Sequence, residues 1–405
     1  MDSQLPRRIV LYSHDGMGIG HIRRNLLIAG TLARSWPDAA ILLIAGVCEA
    51  AAFELPANVD CLTVPALCKD SDGKYQSRRP PFNRKQIIAL RGATIRGAVQ
   101  AFDPDVMIVD KLPRGVGKEL DRTLRMLKRA GRTRCVLGLR DILDDPERVQ
   151  SDWFSEGNEK AINDYYDAVW VYGDANVYDA AREYNWPDHI ARKVRYTGYL
   201  ERATAALDVA AGNDDELRSS LAIAEDAQVV LCLVGGGEDG GPLAEAFAAA
   251  PLPGNAVGVI LSGPFMPAEP RARLHALAER NRQLRVLDFV PDPAPLMRMA
   301  TRAVAMGGYN SVNELLCAGV PSLIVPRVHP RHEQLIRSER LSQLGLIEML
   351  YPHDLTPAAI GQWLASPPRG NPKRVPLDFE GLSRIPRLLE ESLNADQLEV
   401  AGGVA

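Results

Sequence analysis

Short apolar runs separated by helix-length amphipathic segments recur along almost the whole chain. Arg8–Ser13 (RIVLYS) is predicted to be a strand, His21–Ser35 a helix and Ala40–Gly46 (AILLIAG) the next strand. Runs that are apolar at every position, rather than at alternate positions, are typical of strands covered on both faces of a parallel sheet. The alternation therefore predicts an α/β chain built from doubly wound sheets.

The 405 residues are too many for one hydrophobic core, so two domains are expected. A polar, alanine-rich stretch after Gly198 marks the boundary. We predict domains at 1–200 and 217–370, a linker at 201–216, a helix within 371–394 that crosses back to the first domain, and a disordered tail at 395–405. Two doubly wound halves would hold a ligand in the cleft between them, at the carboxyl ends of the strands.

The amino-acid composition excludes several classes of protein. The chain is 46% hydrophobic and 24% charged, with a net charge of −4, so it has no general attraction for nucleic acid. Its six cysteines are scattered without Cys-x-x-Cys spacing and are expected to be reduced thiols. No apolar run approaches the ~20 residues of a membrane-spanning helix. We expect a cytoplasmic protein, with peripheral contact at the inner membrane face left open.

The segment Val304–Gln334 contains the most informative pattern. It is predicted to be a strand (302–306), a glycine turn at Gly307 and Gly308, a helix (310–318) and a second strand (322–325). Asn310 or Ser311 is expected to cap the helix, and backbone N–H groups at such a helix start can bind a diphosphate. Glu314, one turn further on, is placed to accept hydrogen bonds from ribose hydroxyls. An ordinary capped βαβ unit is the alternative interpretation.

GGYNSVNELLCAGVPSLIVP followed by HEQ resembles the donor-nucleotide motif of GT-B glycosyltransferases. The most similar family adds N-acetylglucosamine to the lipid-linked peptidoglycan precursor. The resemblance implies two Rossmann-like domains facing across a cleft, and it implies donor-binding roles for Gly308, Tyr309, Asn310, Ser311, Glu314, Glu333 and Gln334. Tyr309 and Asn310 replace smaller residues of that family, so its donor and acceptor are not carried over.

Ser13–Arg24 joins the first strand to its helix through a glycine-rich loop. Its glycines are spaced G-x-G-x-G, which is neither a P-loop nor the dinucleotide fingerprint. In the resembled family the equivalent loop ends in His and faces the acceptor, which implies that His21 is the general base. His14 is the competing base, and Asp15 or Asp110 is expected to orient whichever acts. The acceptor-side residues implied here are Gly18, Gly20 and Arg23, while a helix-capping His21 is the alternative.

Two further loops in the second half are expected to touch the donor. Glycines 235, 236 and 237 permit close backbone approach to a ligand, and the acidic pair Glu238 and Asp239 is assigned to sugar hydroxyls or the acceptor. The resemblance places Phe289 and Val290 beside the nucleotide base. A plain flexible loop and a core Phe are the respective alternatives.

The segment 69–85 is a polar, basic insertion that is expected to contact an anionic acceptor, a lipid surface or nucleic acid through residues such as Arg78 and Arg79. A solvated loop is the alternative interpretation. Asp70-Ser71-Asp72 imitates a metal-binding Asp-x-Asp but follows no suitable strand, so we treat it as chance. No His/Cys cluster has metal-ligand spacing, and no metal is expected.

Together these features predict a metal-independent hexosyltransferase that moves a sugar from a nucleotide-diphosphate sugar, UDP-linked, to an acceptor hydroxyl with inversion. No cofactor is expected beyond that co-substrate. The acceptor is expected to be a small, lipid-linked or otherwise anionic molecule rather than nucleic acid. A UDP-sugar 2-epimerase and a non-catalytic nucleotide-sugar-binding protein remain as alternatives.

Overall fold

The computed structural model describes residues 7–14, 20–46, 54–69, 75–78, 81–200, 214–236, 238–290, 292–367 and 376–402. The described residues form two compact units. The first takes in those up to Leu200 and those from Asp378 onward, and the second takes in those between. Most of the predicted linker lies outside the described residues, and its last residues are helical. In the described part of the chain, no helix combines the length and apolar character needed to cross a membrane.

The first unit is built on a seven-stranded parallel sheet. Its strands are β1 (Arg8–Ser13), β2 (Ala40–Ala45), β3 (Val59–Thr63), β6 (Val106–Asp110), β7 (Arg134–Arg140), β8 (Ala168–Tyr172) and β9 (Val194–Tyr196), and a separate antiparallel hairpin pairs β4 (Leu67–Lys69) with β5 (Tyr75–Ser77). Every residue of β6 and β8 is buried. This burial on both faces is what the continuous apolar runs predict, and the α/β fold class is confirmed.

The helices of the first unit follow the predicted alternation with two differences. They are α1 (Gly20–Ser35), α2 (Arg84–Phe102), α3 (Asp121–Ala130), α4 (Pro146–Glu156), α5 (Asn158–Tyr165), α6 (Ala180–Glu183), α7 (Asp188–Ala191) and α15 (Gly381–Gly402). The sequence pattern predicts one helix over 116–130, but this stretch starts with a 3-10 turn, because Gly117 has a φ of 59°. Gly157, with a φ of 67°, likewise ends α4 before α5 begins. Positive φ is accessible to glycine and interrupts a right-handed helix.

Other parts of the first unit differ from the sequence prediction. The basic insertion is not wholly irregular, since its residues Tyr75–Ser77 form β5 and pair with β4, while 70–74 and 79–80 lie outside the described residues. Helix α15 packs against α1 and buries Ile385 and Leu389. It continues to Gly402, through most of the tail predicted to be disordered; that stretch includes Ala, Gln, Leu and Glu, which favour helix.

The second unit contains a six-stranded parallel sheet. Its strands are β10 (Gln228–Leu233), β11 (Ala256–Leu261), β12 (Leu284–Leu287), β13 (Ala300–Ala305), β14 (Ser322–Ile324) and β15 (Glu348–Met349). Its helices are α8 (Asp214–Ser220), α9 (Gly241–Ala248), α10 (Ala268–Arg280), α11 (Ala294–Met299), α12 (Tyr309–Cys317), α13 (Glu333–Gln343) and α14 (Pro357–Ala365). Phe247, Ile260 and Val304 lie at the centre of its core.

Both sheets reverse their strand order at one internal point. The first runs β3-β2-β1-β6-β7-β8-β9, so the reversal lies between β1 and β6. The second runs β12-β11-β10-β13-β14-β15, with the reversal between β10 and β13. In open parallel sheets, ligands bind outside the carboxyl ends of the strands that flank such a reversal. A ligand site is therefore expected among the residues that follow β1, β6, β10 and β13.

Candidate active site

His21 and Asp110 meet at the strand reversal of the first unit. Asp110 is the last residue of β6, and His21 lies in the first turn of α1, which follows β1. The Nδ1 atom of His21 is in direct hydrogen-bond contact with Oδ2 of Asp110, and the carboxylate is fully buried. Of the two acidic residues proposed to orient the base, Asp110 is the one observed here, since Asp15 lies outside the described residues.

Arg24 completes this cluster from the next turn of α1. Its Nε and Nη2 atoms donate to Asp110 Oδ1 at 3.0 and 2.6 Å, and its side chain is only 2% exposed. Arg24 Nη2 also lies 3.0 Å from His21 Nδ1, but its contact with Asp110 Oδ1 is the shorter one. An ionised carboxylate has no proton to give, so the hydrogen bond between His21 and Asp110 requires the proton to be on His21 Nδ1. The other ring nitrogen, Nε2, then carries a lone pair. This is the tautomer that a general base needs.

The electrostatics of the cluster keep His21 neutral near pH 7. Burial lowers the pKa of His21 to about 4, although the Asp110 carboxylate acts to raise it. Burial acts to raise the pKa of Asp110, but the Arg24 guanidinium and His21 outweigh this effect and hold the pKa well below its usual range. A neutral imidazole beside an ionised carboxylate is the result.

His14, the competing base, lies next to His21 but in a more enclosed position. The two ring centroids are 4.6 Å apart, His14 is 2% exposed, and burial lowers its pKa well below the ordinary value. The ring of Tyr75, from the β4–β5 hairpin, meets His14 edge-on at 6.2 Å. The His21 side chain keeps 13% exposure and contacts Asp110, so it is the better placed of the two to reach an acceptor hydroxyl.

The remaining acceptor-side residues are only partly described. Gly20 begins α1, Arg23 is half-buried on the same helix, and Arg78 is exposed just after β5. Gly18 and Arg79 lie outside the described residues.

At the strand reversal of the second unit, α12 begins directly after the turn that follows β13. The cap prediction was wrong, because Gly308 is the N-cap with no side-chain hydrogen bond, and Asn310 and Ser311 lie inside the first turn. The helix starts one residue earlier than predicted, since Tyr309 is helical and its buried ring packs under the Arg337 guanidinium at 5.7 Å. Glu314 is half-buried one turn beyond Asn310.

The two glycines of this turn are there for different reasons. A Cβ on Gly307 would lie 2.9 Å from Ser338 Oγ and 3.0 Å from Gln334 Cβ, so packing against α13 requires glycine. A Cβ on Gly308 would meet no protein atom within 4 Å, and the backbone there is ordinary extended chain (φ −66°, ψ 139°). Protein packing explains the first glycine and leaves the second open to close approach by a ligand.

Helix α13 supports the turn from behind. Arg337, which is fully buried, donates from Nη1 to the Gly307 carbonyl oxygen at 2.9 Å. Ser338 and Gln334 are the residues that pack against Gly307. Because a buried charged donor holds this backbone oxygen, the direction of the turn is set by α13.

Glu333 and Gln334 begin α13 and are both buried. Arg327, in the loop after β14, donates to Glu333 Oε1 at 2.7 Å and to Asp239 Oδ2 at 3.3 Å, and its backbone N–H donates to Gln334 Oε1 at 3.1 Å. Asp239 therefore pairs with an arginine in this structure, whereas from the sequence we expected it to contact sugar hydroxyls or the acceptor. Arg327 connects the loop after β10 to the start of α13.

The other predicted donor-side residues lie along the carboxyl ends of β10 and β12. Gly235, with a φ of 65°, and Gly236 form the turn after β10, and the Gly236 carbonyl accepts from Phe265 N–H at 2.9 Å. Gly237 lies outside the described residues. Phe289 is 41% exposed, so it is not a core residue, and Val290 beside it is half-buried.

Three buried or half-buried arginines were missed by the sequence analysis: Arg24, Arg327 and Arg337. Only Arg24 had a local signal, because it lies three residues after His21 on the same helical face. In the described part of the chain, no three His, Cys, Asp or Glu side chains are grouped to hold a metal ion, and Asp70 to Asp72 lie outside it.

The sequence of this chain is similar to that of known proteins only over short segments. No profile of a known protein family matches the chain. An 80-residue segment is 32% identical to the UDP-N-acetylglucosamine–N-acetylmuramyl-(pentapeptide) pyrophosphoryl-undecaprenol N-acetylglucosamine transferase of Photobacterium profundum, and a 111-residue segment is 30% identical to the enzyme of the same name from Aliivibrio salmonicida. These matches cover 20% and 27% of this chain and only 23% and 27% of the relatives.

Solved structures match over almost the full length. The calicheamicin glycosyltransferase CalG4 superposes with a TM-score of 0.57 at 17% identity, covering 98% of this chain and 99% of that one. MurG of Acinetobacter baumannii gives 0.55 at 14% identity, covering 95% and 100%. UDP-GlcNAc 2-epimerase of Neisseria meningitidis gives 0.60 at 13% identity, covering 96% and 99%. The chain has the GT-B fold and resembles the MurG family, as predicted.

Proposed function

We propose that this protein is an inverting glycosyltransferase that uses a nucleotide-diphosphate sugar, UDP-linked, as donor. The observation that carries the proposal is the contact between His21 and Asp110, which leaves a neutral imidazole with its Nε2 lone pair at the strand reversal of the first unit. An unprotonated imidazole nitrogen can take the proton of an acceptor hydroxyl. The local sequence similarity to named N-acetylglucosamine transferases supports the same class.

In the proposed reaction, His21 Nε2 removes the proton from the acceptor hydroxyl as its oxygen attacks the anomeric carbon of the donor sugar. The bond from that carbon to the diphosphate oxygen breaks, and the nucleoside diphosphate leaves with the electron pair. Asp110 stabilises the imidazolium that forms, and Arg24 keeps Asp110 ionised and in place. Attack opposite the leaving group inverts the anomeric configuration.

The second unit is proposed to bind the donor. Backbone N–H groups at the start of α12 would donate hydrogen bonds to the diphosphate, since negative charge is favoured at a helix N-terminus and the N-cap has no side-chain hydrogen bond. Glu314 would bind the ribose hydroxyls, and Phe289 with Val290 would contact the base. Glu333 and Gln334 would contact the sugar. The acceptor is proposed to be an anionic molecule, on the acceptor side that includes the exposed Arg78.

An epimerase on the same fold is the alternative, and the N. meningitidis enzyme shows that this fold also carries that activity. It would need carboxyl groups at the sugar for proton transfer. Two acidic residues near the predicted sugar position, Asp239 and Glu333, are already ion-paired with Arg327 here, so neither is a free carboxyl group for this role.

One experiment separates these functions. The protein is incubated with UDP-N-acetylglucosamine, with and without a pool of bacterial lipid-linked and soluble acceptors, and products are followed by mass spectrometry. A transferase gives UDP together with a glycosylated acceptor, and only slow hydrolysis without acceptor. A new sugar nucleotide of unchanged mass, formed without acceptor, would establish the epimerase instead. UDP binding without any product would indicate a non-catalytic protein. A thermal-shift panel of sugar nucleotides first selects the donor.

A further inference from the structure

The first unit contains a second concave site, at the opposite ends of the strands from His21. A cavity of about 710 Å³ opens where β7, β8 and β9 begin. Its walls come from the ends of α3 and α5, the stretch 189–195 and helix α15. Because Asp110 lies at the carboxyl end of β6 and the cavity at the amino ends of the neighbouring strands, it is separate from the proposed acceptor site. Its volume is in the range of small-molecule sites.

The charges that line this cavity are unbalanced. The three lining carboxylates are each paired with a basic side chain, Asp164 with Lys160 at 2.8 Å, Asp167 with Arg134 at 3.1 Å and Glu391 with Arg387 at 2.9 Å. Four other lining cations have no carboxylate within 4.0 Å in the described part of the chain: Lys128, Arg192, Lys193 and Arg195. Several positive charges in one concavity attract an anion more strongly than scattered surface charges do.

Two of these cations are fixed in place by the backbone. Lys193 Nζ donates to the carbonyl oxygens of Ile162, Asn163 and Tyr166 at 3.1, 2.9 and 2.7 Å. Arg195 Nη1 donates to the carbonyls of Arg192 and Val194 at 2.9 and 2.8 Å. A cation that is already held loses little conformational entropy when a ligand binds. Burial also lowers the pKa of Lys193, which an anion nearby would reverse.

We propose that this cavity binds a small phosphate-bearing molecule, at a site distinct from both the acceptor and the donor regions. Arg195 is the fixed hydrogen-bond donor of the site, through Nε and Nη2, and Lys193, whose three N–H groups already donate to carbonyl oxygens, contributes its positive charge. The exposed Lys128 and Arg192 reach the ligand from the rim. Phosphate oxygens suit it because each can accept several charged hydrogen bonds from arginine and lysine. Tyr165, which is half-buried, also lines the cavity and provides apolar surface for the rest of the ligand.

The test uses inorganic pyrophosphate and the full-length protein in isothermal titration calorimetry, with UDP in excess so that the proposed donor region is occupied. The wild type should bind pyrophosphate, more weakly as salt is raised. The Lys128→Ser, Arg192→Ser double variant should lose about tenfold or more in affinity, since it removes two of the charged donors proposed to hold the phosphate. The Arg122→Ser, Arg129→Ser variant removes two exposed charges that do not line the cavity, and it should bind as the wild type does.

Hydrogen exchange with pyrophosphate and UDP present locates the binding. Protection should increase in 127–135, 163–168 and 189–195 relative to UDP alone. Absence of any binding heat in the wild type, equal losses in both double variants, or protection confined to other segments would each overturn the proposal. None of these readouts depends on transferase activity, so the outcome is independent of the proposed function.

Discussion

Asp110 and His21 are 89 positions apart in the chain, yet the Asp110 carboxylate accepts a hydrogen bond from the His21 ring at Nδ1. The parallel pairing of β1 with β6 makes this possible, because it brings the helix that follows one strand beside the end of the other. The same carboxylate accepts two hydrogen bonds from Arg24. Asp110 thereby selects the tautomer of His21 and stabilises any positive charge that the ring acquires.

Replacement of His21 tests its role as base. We expect His21→Ala to lower turnover by roughly 10²–10⁴-fold with donor affinity largely retained, as is typical of a lost general base. His14→Ala is the matched control, since the two rings are neighbours. Steady-state kinetics and UDP titration measure both effects. If the large loss in turnover accompanies His14→Ala alone, the base is His14; if neither variant shows it, the proposed mechanism is wrong.

The pKa of His21 predicts an unusual pH profile. Because burial lowers this pKa to about 4, the base stays unprotonated through the neutral range. We expect kcat/KM to decline only as the pH approaches 4, rather than near the ordinary histidine value of about 6.5. A profile measured between pH 4 and 9 checks this. An acid limb centred near 6.5 would show that His21 is not in this environment when it acts.

The lowered pKa of His21 also predicts how the stability of the fold depends on pH. Between about pH 6.5, where an unfolded histidine titrates, and the folded value, the unfolded chain binds more protons than the folded one. Stability associated with His21 is therefore complete above about 6.5 and is lost as the pH falls toward 4. Denaturant midpoints across this range should fall less steeply in His21→Ala than in the wild type. Parallel curves for the two proteins would contradict the shift.

The two glycines before α12 give a matched pair of variants. Gly308→Ala adds a methyl group where no protein atom lies within 4 Å, so the fold should be unaffected. UDP affinity should fall roughly tenfold or more, because a displaced diphosphate loses charged hydrogen bonds worth about 1.5–3 kcal/mol each. Gly307→Ala crowds Ser338 and Gln334 and should destabilise the protein by about 1–3 kcal/mol. Unchanged UDP affinity in folded Gly308→Ala would move the diphosphate away from this turn.

Arg327 is predicted to act on the sugar rather than on the nucleotide. Its ion pairs hold Asp239 and Glu333, so Arg327→Met should raise the KM for the sugar nucleotide while the Kd for UDP itself stays nearly constant. Arg282→Met, which removes an exposed cation of the same unit, is the control. An equal loss of UDP affinity would instead place Arg327 at the diphosphate.

Chelation tests the metal-independent mechanism. If helix N–H groups carry the diphosphate charge, transferase activity should persist in excess EDTA. Initial rates measured without chelator, in excess EDTA, and after EDTA is removed test this directly. Activity that disappears on chelation and returns with manganese would revive Asp70-Ser71-Asp72 as a metal-binding motif and undercut the assignment of the diphosphate to α12.

The local sequence was sufficient to predict most of the helices and strands and the strand ends at which a site could form. The continuous apolar runs of β6 and β8 require burial on both faces of the sheet. Glycine, proline and polar residues mark where those runs stop. The apolar runs and their stop signals each depend on only a few neighbouring residues, so they can be read from the sequence. His21 and Gly308 could be singled out for the same reason, as each stands at a junction between a strand and a helix, and Glu314 lies one turn into the helix that follows Gly308. One error was also local: Gly117 interrupts what periodicity alone describes as one helix over 116–130.

What the sequence could not determine is which distant side chains meet. Whether His21 or His14 contacts a carboxylate depends on the pairing of β1 with β6, and the same pairing decides that Arg24 rather than Arg23 turns inward to Asp110. Likewise, Arg337 reaches the Gly307 carbonyl and Arg327 joins Asp239 to Glu333 only because α13 packs beside the turn after β13. Hydrogen bonds and ion pairs depend on distances of a few tenths of an ångström, and those distances are set by tertiary packing, on which the order of residues in the chain carries no direct signal.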